Sequence, residues 1–235
     1  MRSSPALGGP SRNGGKGVTE PRSTPVQAGP PLSTEGIPAG RVTGTQWFRE
    51  HGYRSGAPDG GCWYFAALPV DPATGGRFDV PAPDGTCYFA NRPLVAALER
   101  VGRFTAQHKP VPADLVDGRI VTKVDTSSLP GTVVNLVAKR AATHFGITGE
   151  LFTMPDYSVP QAWADALHQA GHKALVYTPR FSPHGRAIAV FGPQGPQPQP
   201  TASTQSLRDL LRAARVPVVD IPPSSALTFV TPPAR

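Results

Sequence analysis

Apolar and polar positions follow two patterns along the middle of the chain, and together they predict a mixture of strands and helices. Short apolar runs bounded by glycine, proline or asparagine predict buried strands. The last two such runs are separated by a segment that contains Pro183 and Gly185, so they predict a hairpin-like pair. Strands are predicted over 62–68, 86–90, 118–124, 173–178 and 187–191.

A helix is predicted directly after the strand that ends at residue 90. Asn91 is a suitable N-cap, and Pro93 lies in the first turn, where its missing N–H costs little. An apolar stripe follows at residues 94, 98 and 101. Glu99 lies at the border of this stripe, so its carboxylate is expected to point toward the end of the preceding strand.

Three further helices are predicted from their periodicity and their ends. Gly146 follows the first as a C′ residue, and Gly171 stops the second. Ser158 and Gln161 have the spacing of a capping box, with a proline in the first turn. These helices are predicted over 132–145, 158–170 and 204–215.

The two ends of the chain differ in composition from its middle. Of the 29 prolines, 16 lie in residues 1–41 and 193–235. Residues 1–41 contain too few apolar side chains to offset the entropy of ordering and predict a disordered leader. Residues 45–192 predict the folded domain, and residues 193–235 predict a proline-rich linker with a short accessory helix.

Charge and cysteine content narrow the class of protein. The net charge is +7, but the cationic residues are scattered, which favours a solvated basic surface over a nucleic-acid site. Cys62 and Cys87 lie in apolar surroundings and are expected to be small buried thiols. Neither a signal-like segment nor a long apolar run occurs. These features predict a cytoplasmic protein that does not bind a membrane.

Common catalytic and metal-binding patterns do not occur in the sequence. The six histidines are dispersed. His168 and His172 are four residues apart, but Gly171 ends the predicted helix between them. No metal site is therefore predicted.

One ordered series of short motifs is more informative. It runs through GGRFD at 75–79, TCYFA at 86–90 and AALE at 96–99. The glycine pair before Arg77 allows the backbone to approach a ligand closely. With Arg49 upstream, this series resembles the RES family, as do the later stretches 170–180 and 187–192. The resemblance covers about residues 47–192.

The resemblance implies a fold and an activity. RES proteins have an α+β fold similar to that of ADP-ribosyltransferases, with a split antiparallel sheet and helices around a cleft. They are typically toxins of bacterial toxin–antitoxin pairs, and they break the nicotinamide–ribose bond of NAD by phosphorolysis or by hydrolysis. NAD would thus be the substrate, and no cofactor is implied. The implied partner is an Xre-type helix-turn-helix antitoxin that plugs the cleft.

The resemblance also assigns site residues. Arg49 and Arg77 would bind the NAD diphosphate, and Glu99 would stabilise the ribosyl cation or hold the ribose hydroxyls. Tyr88 would border the nicotinamide end of the site or stack on it. Thr178 stands where the family usually has serine, which keeps the hydroxyl and adds a methyl group. Loss of activity without loss of folding is expected for alanine at residue 77 or 99.

Several alternatives stay open for these residues. Arg54 is the alternative to Arg49 as the first site arginine. Glu99 has the spacing of a helix-face ion pair with Arg103. Arg77 could be a surface turn residue, and Tyr88 a core residue. His51 and Tyr53 are near enough in sequence to line the same cleft.

Two other functions also stay open. A protein mono-ADP-ribosyltransferase could share the fold, but such enzymes commonly have a second acid two residues before the catalytic glutamate, where this chain has Ala97. A non-catalytic RES-like binding module is the other hypothesis. The sequence does not distinguish phosphorolysis from hydrolysis.

Overall fold

A computed structural model describes residues 27–42, 46–57, 61–197, 201 and 203–220. The strands are β1 Ala39–Arg41, β2 Gln46–Gly52, β3 Tyr64–Phe65, β4 Asp84–Ala90, β5 Val111–Pro112, β6 Arg119–Asp125, β7 Thr132–Asn135, β8 Ala174–Tyr177, β9 Ala187–Pro193, β10 Gly195–Pro196, β11 Ser203–Ser206 and β12 Val218–Val219. The helices are α1 Pro93–Thr105, α2 Lys139–Phe145, α3 Glu150–Thr153, α4 Ser158–Gln169 and α5 Leu207–Ala213. None of the helices in these ranges is long and apolar enough to cross a membrane.

A central sheet organises the described strands in the order β1-β7-β8-β9-β4-β2-β6-β11. Neighbouring strands within this sheet are antiparallel, except that β7 and β8 are parallel. β8 and β9 pair from Ala174↔Val190 to Tyr177↔Ala187, so the predicted hairpin-like pair is confirmed. Two short pairs flank the sheet, β3 with β10 and β5 with β12.

The sheet is nearly divided between β2 and β4. β2 pairs with β6 over its full length, and β4 does the same with β9. Between β2 and β4, however, the register contains the single pair Phe48↔Ala90. The two strands therefore diverge from this pair, and the opening between them forms a cleft.

Apolar side chains cover both faces of the sheet. α3 and α4 bury Leu151, Trp163 and Leu167 against one part of it. α1 and α5 pack on the half that contains β6, where Leu207 and Leu211 are fully buried. A third cluster, around Cys62 and Cys87, lies at β3 and β4 and confirms that both thiols are buried.

Both terminal regions are more ordered than their composition predicts. β1, within the predicted leader 1–41, pairs with β7 at the edge of the sheet. The segment before it packs on α3 and α4 through Gln27 and Ala28. α5 packs against α1 and β6 with its apolar side buried. The structure thus extends the folded unit beyond 45–192 at both ends, while residues 1–26 lie outside the described part.

The helix predicted over 132–145 is wrong in its first half. Residues 132–135 form β7, because Val133 and Val134 are β-branched and lie between two strands that supply backbone partners. The helical part is α2. Gly146 ends it with a φ of +63°, as predicted.

The side chains of two residues that were predicted to cap helices form other contacts in the structure. Asn91 does not cap α1, because its Oδ1 accepts a hydrogen bond from the N–H of Arg186 at 3.0 Å, and Arg92 is the N-cap. The capping box at Ser158 is also absent from α4. The amide of Gln161 instead donates to the carbonyls of Pro72 and Gly76, at 3.0 and 3.1 Å. Tertiary contacts have taken both side chains away from the helix ends.

Candidate functional site

The turn at 75–79 is locked by its own acid and by a tyrosine from β4. The N–H of Gly76 donates to Asp79 Oδ2 at 2.5 Å. The hydroxyl of Tyr88 donates to Asp79 Oδ1 at 2.7 Å and accepts from the N–H of Phe78 at 2.9 Å. Burial raises the pKa of Asp79, and the hydrogen bonds that its carboxylate accepts from Tyr88 and Gly76 oppose that effect. Asp79 therefore closes the turn around Arg77, and Tyr88 ties the turn to the sheet directly after Arg77.

Arg77 is buried, and its guanidinium is held by carbonyl groups and an aromatic ring. It donates to the carbonyl of Met154 at 2.9 Å and to that of Leu151 at 3.4 Å. The ring of Tyr157 lies under it, with 4.4 Å from Cζ to the ring centroid. Burial lowers the pKa of Arg77, partly offset by the nearby tyrosines and Glu99. Replacement by alanine would leave these carbonyls unpaired, so the expectation that folding is unaffected does not fit this geometry.

Glu99 lies on α1, at the side of the cleft toward the β8–β9 loop. Its Oε1 accepts a hydrogen bond from the N–H of Phe181 at 3.2 Å. Although the residue is solvent-exposed, the surrounding protein raises the pKa of its carboxyl by desolvation. That N–H and the positive charges of Arg77 and Arg180 oppose the increase in pKa. Within the described part of the chain, Glu99 and Arg103 do not form an ion pair.

Tyr177 lies close enough to Arg77 and Glu99 to interact with the charges of both. It is buried at the end of β8, and its ring is 4.8 Å from that of Phe78. Burial raises the pKa of Tyr177 well above its ordinary value, and the charges of Glu99 and Arg77 also act on it. Sequence analysis did not select Tyr177, although it directly precedes Thr178 within the stretch 170–180 that resembles the family.

Two cavities border β2, the strand that opens away from β4. The smaller has a volume of about 70 Å³, and the larger has about 410 Å³. Both are lined in part by Arg49 and Glu50. The smaller one is also lined by Tyr88, Glu99 and Tyr177. Arg54, Tyr53, Tyr64 and Arg119 line the larger one.

Arg49 spans the opening in the sheet. Its Nη1 donates to the carbonyl of Tyr64 at 3.0 Å and contacts the sulfur of Cys87. Arg54 lies over the Tyr64 ring, with 4.7 Å from Cζ to the ring centroid. Both candidates for the first site arginine therefore border the larger cavity. Of the two, Arg49 is the one that also reaches the smaller cavity.

The remaining candidates lie at different distances from the cleft. Thr178 is half-buried directly after β8 and does not line either cavity. His51 lines the larger cavity but is buried, and its Nε2 lies 2.7 Å from Thr122 Oγ1, which indicates a structural contact. His168 pairs with Asp84 at 3.1 Å. The described residues contain no group of three or more His, Cys, Asp or Glu suited to a metal ion.

Tyr88→Phe is expected to lower the free energy of unfolding by about 1–3 kcal/mol, because Asp79 and the N–H of Phe78 would lose their buried partner. Urea unfolding measures this change. Tyr53→Phe is the matched control, since Tyr53 is 61% exposed. Equal stability of Tyr88→Phe and the wild type would show that this hydroxyl does not hold the turn.

Comparison with known proteins identifies the family. The model of the RES domain matches residues 47–212, most of the chain. The chain belongs to the RES domain family. The match confirms the resemblance seen in the motifs, and it extends beyond residue 192 to include most of α5. A search of curated proteins finds no match.

A solved structure supports the fold of this RES domain. The chain matches one chain in the crystal structure of the M. tuberculosis MbcT–MbcA toxin–antitoxin complex with a TM-score of 0.51. The match covers 74% of this chain and 92% of that chain, at 15% sequence identity. At this identity the likeness shows the fold alone. The expected ADP-ribosyltransferase-like α+β fold is confirmed.

Proposed function

We propose that this RES domain cleaves the nicotinamide–ribose bond of NAD and transfers the ribosyl group to phosphate or water. The observation that supports this best is that Glu99, Tyr88 and Tyr177 line a small cavity that shares Arg49 with a larger, arginine-lined cavity. A carboxylate at one end and cations along the other suit a substrate with a ribosyl centre and a diphosphate.

Glu99 has the chemistry required at the reacting carbon. Loss of nicotinamide leaves an oxocarbenium-like ribosyl group, which a nearby carboxylate stabilises. The charges of Arg77 and Arg180 help to keep Glu99 ionised against the effect of burial. We propose that Arg77 positions the substrate and balances the negative charge of Glu99. We also propose that the ring of Tyr88 forms the wall of the site at the nicotinamide end, while its hydroxyl holds the turn.

The arginines of the larger cavity suit the diphosphate. Guanidinium groups bind phosphate oxygens with paired hydrogen bonds. Arg119 is already paired with both oxygens of Glu50. Arg49 and Arg54 have no such carboxylate partner among the described residues, so we assign them the diphosphate. Thr178 would contribute from the end of β8.

The proposal includes a role as the toxin of a toxin–antitoxin pair. Membership of the RES family and the likeness to a chain from a toxin–antitoxin complex support it. The partner would be an Xre-type helix-turn-helix antitoxin that covers the cleft. Expression of the chain alone would then arrest growth, and co-expression of the antitoxin would relieve the arrest.

Protein ADP-ribosylation is less consistent with this site. The position two residues before Glu99 is Ala97, which is fully buried in α1. An acid at that position could not reach an acceptor in the cleft. ADP-ribosylated protein therefore should not accumulate when the purified chain is incubated with NAD and cell extract.

The products of NAD distinguish the two acceptors. We expect the purified chain to release nicotinamide from NAD, measured by chromatography and mass spectrometry with and without phosphate. ADP-ribose 1″-phosphate formed only with phosphate identifies phosphorolysis, and ADP-ribose formed without phosphate identifies hydrolysis. No NAD loss from folded protein in either buffer would contradict the proposal and favour a non-catalytic binding module.

A further inference from the structure

A short segment before the family-matched region packs on the part of the fold that holds Arg77. The RES match begins at residue 47, whereas residues 27–42 are already described and in contact with the domain. This N-terminal strap, residues 27–41, runs from the start of α3 to the edge strand β1. It is thus an addition to the matched domain whose effect can be tested separately.

Gln27 makes the central contacts of the strap. It is 4% exposed. Its Oε1 accepts hydrogen bonds from the N–H and the hydroxyl of Thr148, at 2.8 and 2.9 Å. Its backbone N–H donates to Glu150 Oε2 at 2.7 Å, and its Nε2 lies 3.3 Å from the carbonyl of Gly146. The side chain therefore holds the linker between α2 and α3, and the backbone N–H contacts the first residue of α3.

The strap is anchored at further points along its length. The fully buried Trp163 donates from Nε1 to the carbonyl of Ala28 at 3.0 Å. The N–H of Asn135 donates to the carbonyl of Pro38 at 2.7 Å. These contacts fix the strap to α4 and to β7, so Gln27 is presented to α3 from a rigid support.

α3 depends on such contacts because it is very short. It has four residues, far fewer than an isolated helix needs to be stable. Its Leu151 supplies one of the two carbonyls that accept from Arg77, and Met154, at its C-terminal end, supplies the other. A shift of α3 would therefore move the acceptors that hold the guanidinium beside the cleft.

We infer that Gln27 is a positioning residue for Arg77, acting through α3. The contacts run from Gln27 to Thr148 and Glu150, and from α3 to the guanidinium. The inference rests on the proposed function where it concerns NAD turnover. Its structural part, that Gln27 holds Arg77 in its buried position, is testable without NAD.

Gln27→Ala removes these side-chain contacts and is the test variant. Phenylglyoxal labelling followed by peptide mass spectrometry reports the accessibility of Arg77, which is 8% exposed in the native fold. We expect Arg77 to be labelled about tenfold faster in Gln27→Ala, because local opening of α3 exposes its guanidinium. We also expect NAD turnover to fall about tenfold, since small misplacements at a site are costly.

Two control variants separate positioning from general stability. Leu32→Ser changes a fully exposed residue of the same strap and should leave both readouts unchanged. Leu211→Ala destabilises the fold through α5, which packs on the α1 and β6 side of the sheet, away from α3. At a temperature well below the unfolding midpoints, it should not increase labelling of Arg77.

The outcomes are distinct. Faster labelling of Arg77 in Gln27→Ala but not in Leu211→Ala supports the inference, even if the wild type leaves NAD intact and the proposed function fails. Unchanged labelling of Arg77 in folded Gln27→Ala overturns it. Equal acceleration in Leu211→Ala also overturns it, because the effect would then be one of global stability.

Discussion

Glu99→Gln is expected to slow nicotinamide release from NAD by about 100- to 1,000-fold, the loss typical when a charge that stabilises a transition state is removed. The substitution keeps the shape of the side chain, and the amide oxygen can still accept the N–H of Phe181. It removes the negative charge beside the proposed ribosyl cation. Steady-state release of nicotinamide measures the effect.

The pKa shift of Glu99 predicts how stability and activity depend on pH. Because desolvation by the surrounding protein raises the pKa of the Glu99 carboxyl, folding favours its protonated form. The contribution of Glu99 to the stability of the folded protein is fully present at pH values below the pKa of its carboxyl in the unfolded chain. This contribution is lost as the pH rises through the pKa of the same carboxyl in the folded protein. Glu99→Gln should therefore be no less stable than the wild type at neutral pH. If the carboxylate is the active form, wild-type turnover falls on the acid side at a pH above the ordinary pKa of glutamate.

Asp114→Asn is the matched control for Glu99→Gln. Asp114 is an exposed acid in the turn after β5, and it lines neither cavity of the cleft. The control removes an equal charge and should keep wild-type turnover. Full NAD turnover by Glu99→Gln would exclude the role assigned to this carboxylate.

Gly76→Ala is expected to destabilise the domain by about 3 kcal/mol and to abolish most NAD turnover. A Cβ atom at this position would lie 2.7 Å from Asp79 Oδ1 and 2.7 Å from the hydroxyl of Tyr88. Those two atoms form the hydrogen bond that locks the turn bearing Arg77. Urea unfolding and the NAD assay together measure the loss.

Gly131→Ala serves as the control for this substitution. A Cβ atom at Gly131 meets no atom within 4 Å, so the change should leave stability and turnover close to those of the wild type. Wild-type stability and turnover in Gly76→Ala would show that the turn adapts and that its contacts do not position Arg77.

Local patterns in the sequence predicted much of the frame but not the contacts that assemble the site. Periodicity predicted β4, α1 and the β8–β9 pair, because each buries a regular set of apolar side chains. It missed β7, whose valines lie in a segment with helical spacing and are fixed as a strand by neighbours distant in sequence.

In the candidate site, too, local sequence patterns predicted residues but not the contacts between them. The motif series selected Arg77, Tyr88 and Glu99; of these, Tyr88 and Glu99 line the smaller cavity, whereas Arg77 is buried and lines neither cavity. The motif series could not reveal that the hydroxyl of Tyr88 holds the turn, or that Tyr157 lies under the guanidinium of Arg77. Those contacts join residues far apart in the chain. The order of the strap was missed because a few buried contacts, such as that of Gln27, outweigh a polar composition.

The most direct test of the account is nicotinamide release from NAD by the purified wild-type chain beside Glu99→Gln, with phosphate present. We expect stoichiometric loss of NAD and appearance of nicotinamide with the wild type, and little of either with Glu99→Gln. Intact NAD in both reactions, with both proteins folded, would contradict the proposed activity. Equal release in both would contradict the assigned site.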